Sequence, residues 1–154
     1  MIRVQQQDFH LQTEYELLLD AGRTGAAVSF TGLVRDFLPH GQAEEQSAAG
    51  FFLQHYPGMT ERVLEKIEQR ARERWDLQRV TIIHRIGELK TGDQIVFVGV
   101  TSAHRQDAFA AAQFIMDILK TEAPFWKKEG DHWVEAKDSD QQAADQWLKN
   151  RIDN

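Results

Sequence analysis

T-S-A-H-R-Q-D-A-F-A-A-A-Q-F-I-M-D-I-L-K-T-E-A-P-F-W-K-K-E-G, residues Thr101–Gly130, decides how the rest of the chain is read. A buried strand runs into it from Ile95, and a helix follows. Ala108, Ala111, Ala112, Ile115, Met116 and Leu119 recur at three- and four-residue spacing, with Phe109 and Phe114 widening the apolar face. Four alanines fall in the five positions 108–112, and alanine is the best helix former. Ser102 suits an N-cap and Asp107 a first turn. Pro124 disfavours helix at Ala123, so the helix is expected to end near Thr121.

Cationic side chains bracket this helix: His104 and Arg105 at its start, Lys120 at its finish, Lys127 and Lys128 beyond the proline. Arg105 and Lys120 are fifteen residues apart, about 22 Å at about 1.5 Å per residue. One small ligand cannot touch both ends of a straight helix. Either the cations serve separate sites, or a second copy of the chain brings its His104 and Arg105 beside the first copy's Lys120. Taken singly, each is better explained as a solvated helix-end charge.

Upstream, Met1–Gln7 alternates as an edge strand, and Leu11–Asp20 carries apolar residues at helical spacing before Gly22. Gly25–Val34 reads as a strand ending at Arg35-Asp36, and the polar stretch Pro39–Ala48 as a loop. Gly50–Tyr56 is a strand closed by Pro57-Gly58. Met59–Trp75 is an amphipathic helix with the stripe Met59, Val63, Ile67, Ala71, Trp75. Val80–Ile86 and Ile95–Thr101 are strands separated by Thr91-Gly92-Asp93; the second, apolar on both faces, is expected to be central. Downstream, His132–Ala136 reads as a short strand and Ser139–Asn150 as a final helix. The predicted order is β-α-β-β-α-β-β-α-β-α over one domain, residues 1–154: an α+β fold with a mostly antiparallel sheet.

Composition bounds the function. A net charge of −6 argues against a nucleic-acid partner, and a local cationic pocket suits a small anionic substrate. No run of about 20 apolar residues and no signal-like N-terminus is present, so no membrane association and a cytoplasmic location are expected. With no cysteine there is no disulfide, no thiolate nucleophile and no persulfide on this chain. The six histidines are scattered without metal-ligand spacing, and no phosphate loop occurs, so neither a metal nor a resident cofactor is expected. What remains is a cationic set. A helix start offers free N–H groups, arginine a planar fork, and lysine beside apolar groups an adaptable proton donor, base or nucleophile.

Six ordered blocks, F-T-G-L-V-R (Phe30–Arg35), L-Q-H-Y-P-G-M (Leu53–Met59), V-T-I-I-H-R-I-G-E-L (Val80–Leu89), F-V-G-V-T-S-A-H-R (Phe97–Arg105), F-I-M-D-I-L-K-T-E-A-P-F-W-K-K-E (Phe114–Glu129) and W-V-E-A-K (Trp133–Lys137), resemble the catalytic (large) subunit of molybdopterin synthase. The resemblance implies an α/β-hammerhead-type fold and a central homodimer, extended to a heterotetramer by two small ubiquitin-like sulfur-carrier subunits. Each carrier's Gly-Gly tail, bearing a thiocarboxylate, inserts into the large subunit. The implied activity is a sulfurtransferase of molybdenum cofactor biosynthesis: sulfur passes to cyclic pyranopterin monophosphate and forms the dithiolene of molybdopterin.

Carried over by motif, Lys120 and Lys127 are catalytic, and Leu33, Val34, Arg35, His104, Arg105, Lys128 and Glu129 join them in binding substrate. Phe30 and Met116 are pocket walls. Lys137 stands where the family is expected to carry arginine and lacks its fork, which sets it apart; Leu33 replaces an expected polar residue, so its backbone is what carries over. A sulfur transferase without cysteine must receive its sulfur on a partner, which a carrier thiocarboxylate provides. Two alternatives stand beside this one: a non-catalytic adaptor for a ubiquitin-like tail, and a His104-dependent phosphoester hydrolase.

Overall fold

The computed structural model describes residues 1–35, 51–129, 132–134 and 138–149. Two four-stranded sheets organise them. The first has the order β1 (Ile2–Gln5), β4 (Leu77–Arg85), β6 (Gln94–Ser102), β2 (Ala26–Leu33). Only β1 and β4 run parallel; β4–β6 and β2–β6 are antiparallel. The central placement of β6 and the edge placement of β1 agree with their sequence patterns. The second sheet has the order β5 (Gly87–Leu89), β3 (Phe51–His55), β7 (Phe125–Glu129), β8 (His132–Val134), all antiparallel.

Period-two alternation sorts the first sheet's side chains between two cores. Ile82, Val96, Val98 and Val100 face α2 (Met59–Arg74) and α3 (Arg105–Glu122), where Leu64, Ile67, Ala111, Phe114, Ile115 and Ile118 close a large cluster. Ile83 and Phe97 point the other way and pack with Phe9 and with Leu18 of α1 (Leu11–Leu18). The last helix, α4 (Asp138–Lys149), reaches the large cluster through Ala144 and Trp147. Trp147 meets the Trp75 and Phe114 rings edge-on, at centroid distances of 5.8 and 5.5 Å.

The fold differs from the sequence-based expectation in two strands and one helix face. β5 and β7 are additional. The α2 stripe is Thr60, Leu64, Ile67 and Ala71; Met59, expected inside, is 51% exposed, and Val63 is only partly buried. Met59 is the first helical residue after Gly58, whose φ of 77° turns the chain into the helix, and the buried face begins one residue later. The 39–48 stretch and residues 135–137 lie outside the described residues.

In the second sheet the inner face carries Phe51, Leu53, Leu89 and Phe125 in a small cluster with Val34. The outer face shows Phe52, Trp126 and Trp133, all large and exposed. His84, buried near the end of β4, joins the sheets by stacking on Phe125 at 3.8 Å and 20°.

Candidate active site

β2 ends in a bulge between Gly32 and Leu33. The next residue, Val34, is buried and locked to the turn before β6: its N–H donates to Asp93 O at 2.8 Å, and its carbonyl accepts from Gly92 N at 2.7 Å. This fixes the direction in which Leu33, 59% exposed, and Arg35, also exposed, leave the sheet.

The helix α3 starts where β6 ends. His104 occupies the N-cap position with no side-chain cap bond. Ser102, the expected cap, is instead buried in β6: its hydroxyl donates to Asp76 O at 2.9 Å and accepts from His104 N at 3.4 Å. The N-terminal N–H groups of α3 therefore keep no hydroxyl of their own. Beside them lies an open cavity of about 480 Å³ lined by Gly25, Ala103, His104, Arg105 and Gln106. Gly25 makes this wall. Its N–H donates to Ser102 O at 3.1 Å, and a Cβ there would stand 2.1 Å from Ala103 O, so only glycine permits the approach.

Along α3, from Phe109 to Lys120, a second cavity of about 450 Å³ opens between β2 and the helix. Val28, Phe30, Phe109, Ala112 and Met116 give it an apolar wall; Ser29, Gln113, Asp117, Lys120 and Asp140 supply its polar groups. Lys120 Nζ lies 3.5 Å from Asp140 Oδ1, its side chain half exposed. Asp117 Oδ2 accepts the Trp147 indole N–H at 2.8 Å. Phe30 and Met116, expected as pocket walls, stand in this wall, in the same cavity as Lys120.

Lys127 is placed by β7. Pro124 ends α3, Ala123 N–H closing its last turn on Leu119 O at 3.1 Å. The buried Thr60 hydroxyl donates to Pro124 O at 3.3 Å and accepts from Tyr56 N at 3.1 Å. Arg70 Nη1 grips both oxygens of Glu122 at 3.0 and 2.8 Å. The turn between Lys120 and Lys127 is thus held on two sides by α2. Lys127 pairs with Leu53 in the sheet, and its Nζ sits 4.5 Å from the Phe51 ring centre, an ammonium over a buried aromatic face. Adjacent strand residues point to opposite faces, so Lys128, paired with Phe52 and Trp133, shares the outer side. Glu129 pairs through its backbone with Phe51 and His132; its side chain and Lys137 lie outside the described residues.

Within one chain the cations therefore fall into separate places: His104 and Arg105 at one cavity, Lys120 at another, Lys127 over the small cluster. Asp117 and Asp140 were not singled out by sequence. Asp117 offers only a helical carboxylate one turn from Lys120, and Asp140 reaches the site from another helix. Among the described residues no group of three or more His, Cys, Asp or Glu is placed to hold a metal ion, and no helix is long and apolar enough to cross a membrane.

Comparison with known proteins places the chain in a family. The family model described as MoaE protein matches residues 4–122. A molybdopterin synthase catalytic subunit from Escherichia coli (strain K12) is 57% identical over 145 residues, covering 92% of this chain and 93% of the relative. The solved molybdopterin biosynthesis MoaE protein from Burkholderia ambifaria MC40-6 superposes with a TM-score of 0.79 at 46% identity, over 95% of this chain and 96% of that one. A Helicobacter pylori 26695 structure, a complex of subunits 1 and 2 of molybdopterin-converting factor, shares the fold at TM-score 0.69 and 20% identity, over 89% and 90% of the two chains. Family model, relative and solved structures coincide over most of the chain, and it belongs to the MoaE family, whose curated relatives are molybdopterin synthase catalytic subunits.

Proposed function

We infer that this chain is the catalytic subunit of a molybdopterin synthase, a sulfurtransferase of molybdenum cofactor biosynthesis. Its membership of the MoaE family over nearly its whole length supports this. The chain has no cysteine, so the sulfur comes on a partner. That partner is a small carrier subunit with a C-terminal thiocarboxylate, in keeping with the two-subunit complex of the Helicobacter pylori relative. The acceptor is cyclic pyranopterin monophosphate, bound as substrate, with no resident cofactor. The protein works in the cytoplasm, as a homodimer carrying two carrier subunits.

The observation that carries the site reading is the separation of cations along α3. His104 and Arg105 border one cavity, and Lys120, fifteen residues on from Arg105, stands at the far end of another that begins at Phe109. A homodimer that sets one copy's α3 N-terminus beside its mate's β2–α3 cavity joins the two halves. His104, Arg105 and Arg35 then hold the cyclic phosphate through charge, the arginine forks and the free N–H groups of the helix start. Lys120 and Lys127, each beside apolar surface, stabilise negative charge as the thiocarboxylate sulfur adds to the pterin side chain. Leu33, Val34, Lys128 and Glu129 complete the surroundings, with Phe30 and Met116 as walls.

The experiment combines purified chain, thiocarboxylated carrier and pterin substrate, and measures dithiolene formed. Lys120→Ala is expected to abolish most turnover while still binding carrier; near-normal turnover overturns its role. Carrier binding with no dithiolene from the parent protein would favour an adaptor instead. Phosphate release without carrier would favour a hydrolase.

A further inference from the structure

The β2–α3 cavity holds one ammonium and two carboxylates, and the carboxylates are not equivalent. Asp117 has its Oδ2 taken by the Trp147 indole N–H at 2.8 Å. Asp140 faces Lys120: its Oδ1 lies 3.5 Å from Nζ, with side-chain exposures of 26% and 53% respectively. Asp140 is therefore the more enclosed partner of the pair.

Its placement follows from how α4 is anchored. Ala144 is 3% exposed, and Trp147 packs on Trp75 and Phe114. Arg74 Nη2 donates to the Trp147 carbonyl at 3.3 Å. Asp140, Ala144 and Trp147 are spaced four and three residues apart, so they share one helix face. The inward stripe of α4 thus opens with a carboxylate where packing alone calls for an apolar residue, and that carboxylate meets Lys120 in the cavity.

We propose that Asp140 is a positioning residue for Lys120, holding its ammonium at the cavity rim in the orientation used for sulfur transfer. This rests on Lys120 acting in the reaction. A lysine on a flexible stem, half exposed, has many rotamers; a carboxylate fixed on a second, anchored helix selects among them. The same carboxylate repels an incoming anion. Asp140 therefore favours the rate of the bound complex and opposes binding of the anionic substrate.

The test is Asp140→Asn, with Asp140→Glu as the charge-conserving variant and Asp145→Asn as a control for charge on the same helix. Asp145 pairs with Gln141 of its own helix at 2.9 Å. Expected for Asp140→Asn is a kcat about tenfold lower with KM unchanged or lower. Asp140→Glu is expected to restore most of kcat, and Asp145→Asn to resemble the parent. A general loosening of α4 would raise KM and would not be rescued by glutamate, so that pattern overturns the proposal. A second readout needs no turnover: acetic anhydride labelling of Lys120, relative to the exposed Lys66, measured by mass spectrometry on the intact dimer. Labelling is expected to rise about threefold in Asp140→Asn, because the ion pair no longer occupies the amine. Labelling within the parent's error overturns the proposal whatever the kinetics show. If Lys120→Ala keeps full turnover while labelling still responds to Asp140, the fault lies with the role given to Lys120, not with the ion pair.

Discussion

Lowering the pH should destabilise this protein through His84, by an amount the structure allows to be worked out. His84 is buried between the sheets, its ring stacked on Phe125, and its Nδ1 lies 2.9 Å from Arg85 O. A carbonyl only accepts, so Nδ1 carries the hydrogen and the neutral ring is satisfied there. Burial, with the nearby His55 as a smaller factor, lowers its pKa from 6.5 to about 4. The unfolded chain therefore takes up a proton near pH 6.5 that the folded chain refuses until about pH 4. The contribution of His84 to stability is complete above that range and is lost progressively as pH falls through it. Between pH 7 and pH 5 this linkage amounts to about 2 kcal/mol, and at full development to about 3 kcal/mol. His84→Phe keeps a ring against Phe125 and removes the titration. Urea unfolding of parent and variant at matched protein concentration, from pH 7.5 to 4.5, gives the comparison. Carboxylate titrations common to both proteins cancel in the difference. The parent should lose about 2 kcal/mol more than the variant between pH 7 and pH 5. Parallel curves would refute the reasoning.

Three further outcomes are expected. Gly25→Ala drives a methyl group into Ala103 O and should cost about 1–3 kcal/mol in thermal or urea unfolding, together with weakened pterin binding, since Gly25 and His104 share a wall. Thr60→Val leaves Tyr56 N–H and Pro124 O without the hydroxyl that joins them; a loss of about 1–3 kcal/mol is expected by urea titration, with a lower kcat from the displaced Lys127 strand. An equimolar, unfolded-and-refolded mixture of inactive His104→Ala and Lys120→Ala chains should recover about one quarter of parental dithiolene formation, because half the dimers then carry one intact composite site. No recovery despite confirmed mixed dimers would place both residues' contributions within a single chain.

The part of the fold that could be read in advance is the part where period and burial agree. β6 is apolar on both faces and lies in the middle of its sheet; α3 alternates at helical spacing and packs against it. β7 was illegible for a definite reason. Its Phe125 and Lys127 turn inward and its Trp126 outward, so a charge occupies an inner position and a large ring an outer one, and the usual alternation cancels. β5 is too short to carry a period. The site divides similarly. Lysines, arginine and histidine announce themselves as cations near helix ends, and the length of α3 alone separates them into two groups. Asp140 does not, because its link to Lys120 runs through the docking of α4, a tertiary fact set by Trp147 packing on Trp75 and Phe114.

The four tryptophans fall into two optical classes. Trp75 and Trp147 are clasped around Phe114, whereas Trp126 and Trp133 stand 46% and 55% exposed on either side of the Lys128 position. The outer pair should emit at longer wavelength and be quenched first by acrylamide. Because Trp126 and Trp133 share the outer side of the sheet with Lys128, a molecule arriving at that lysine should alter the red component more than the blue one. The protein thus carries its own label-free gauge of occupancy, with an internal standard in the same spectrum.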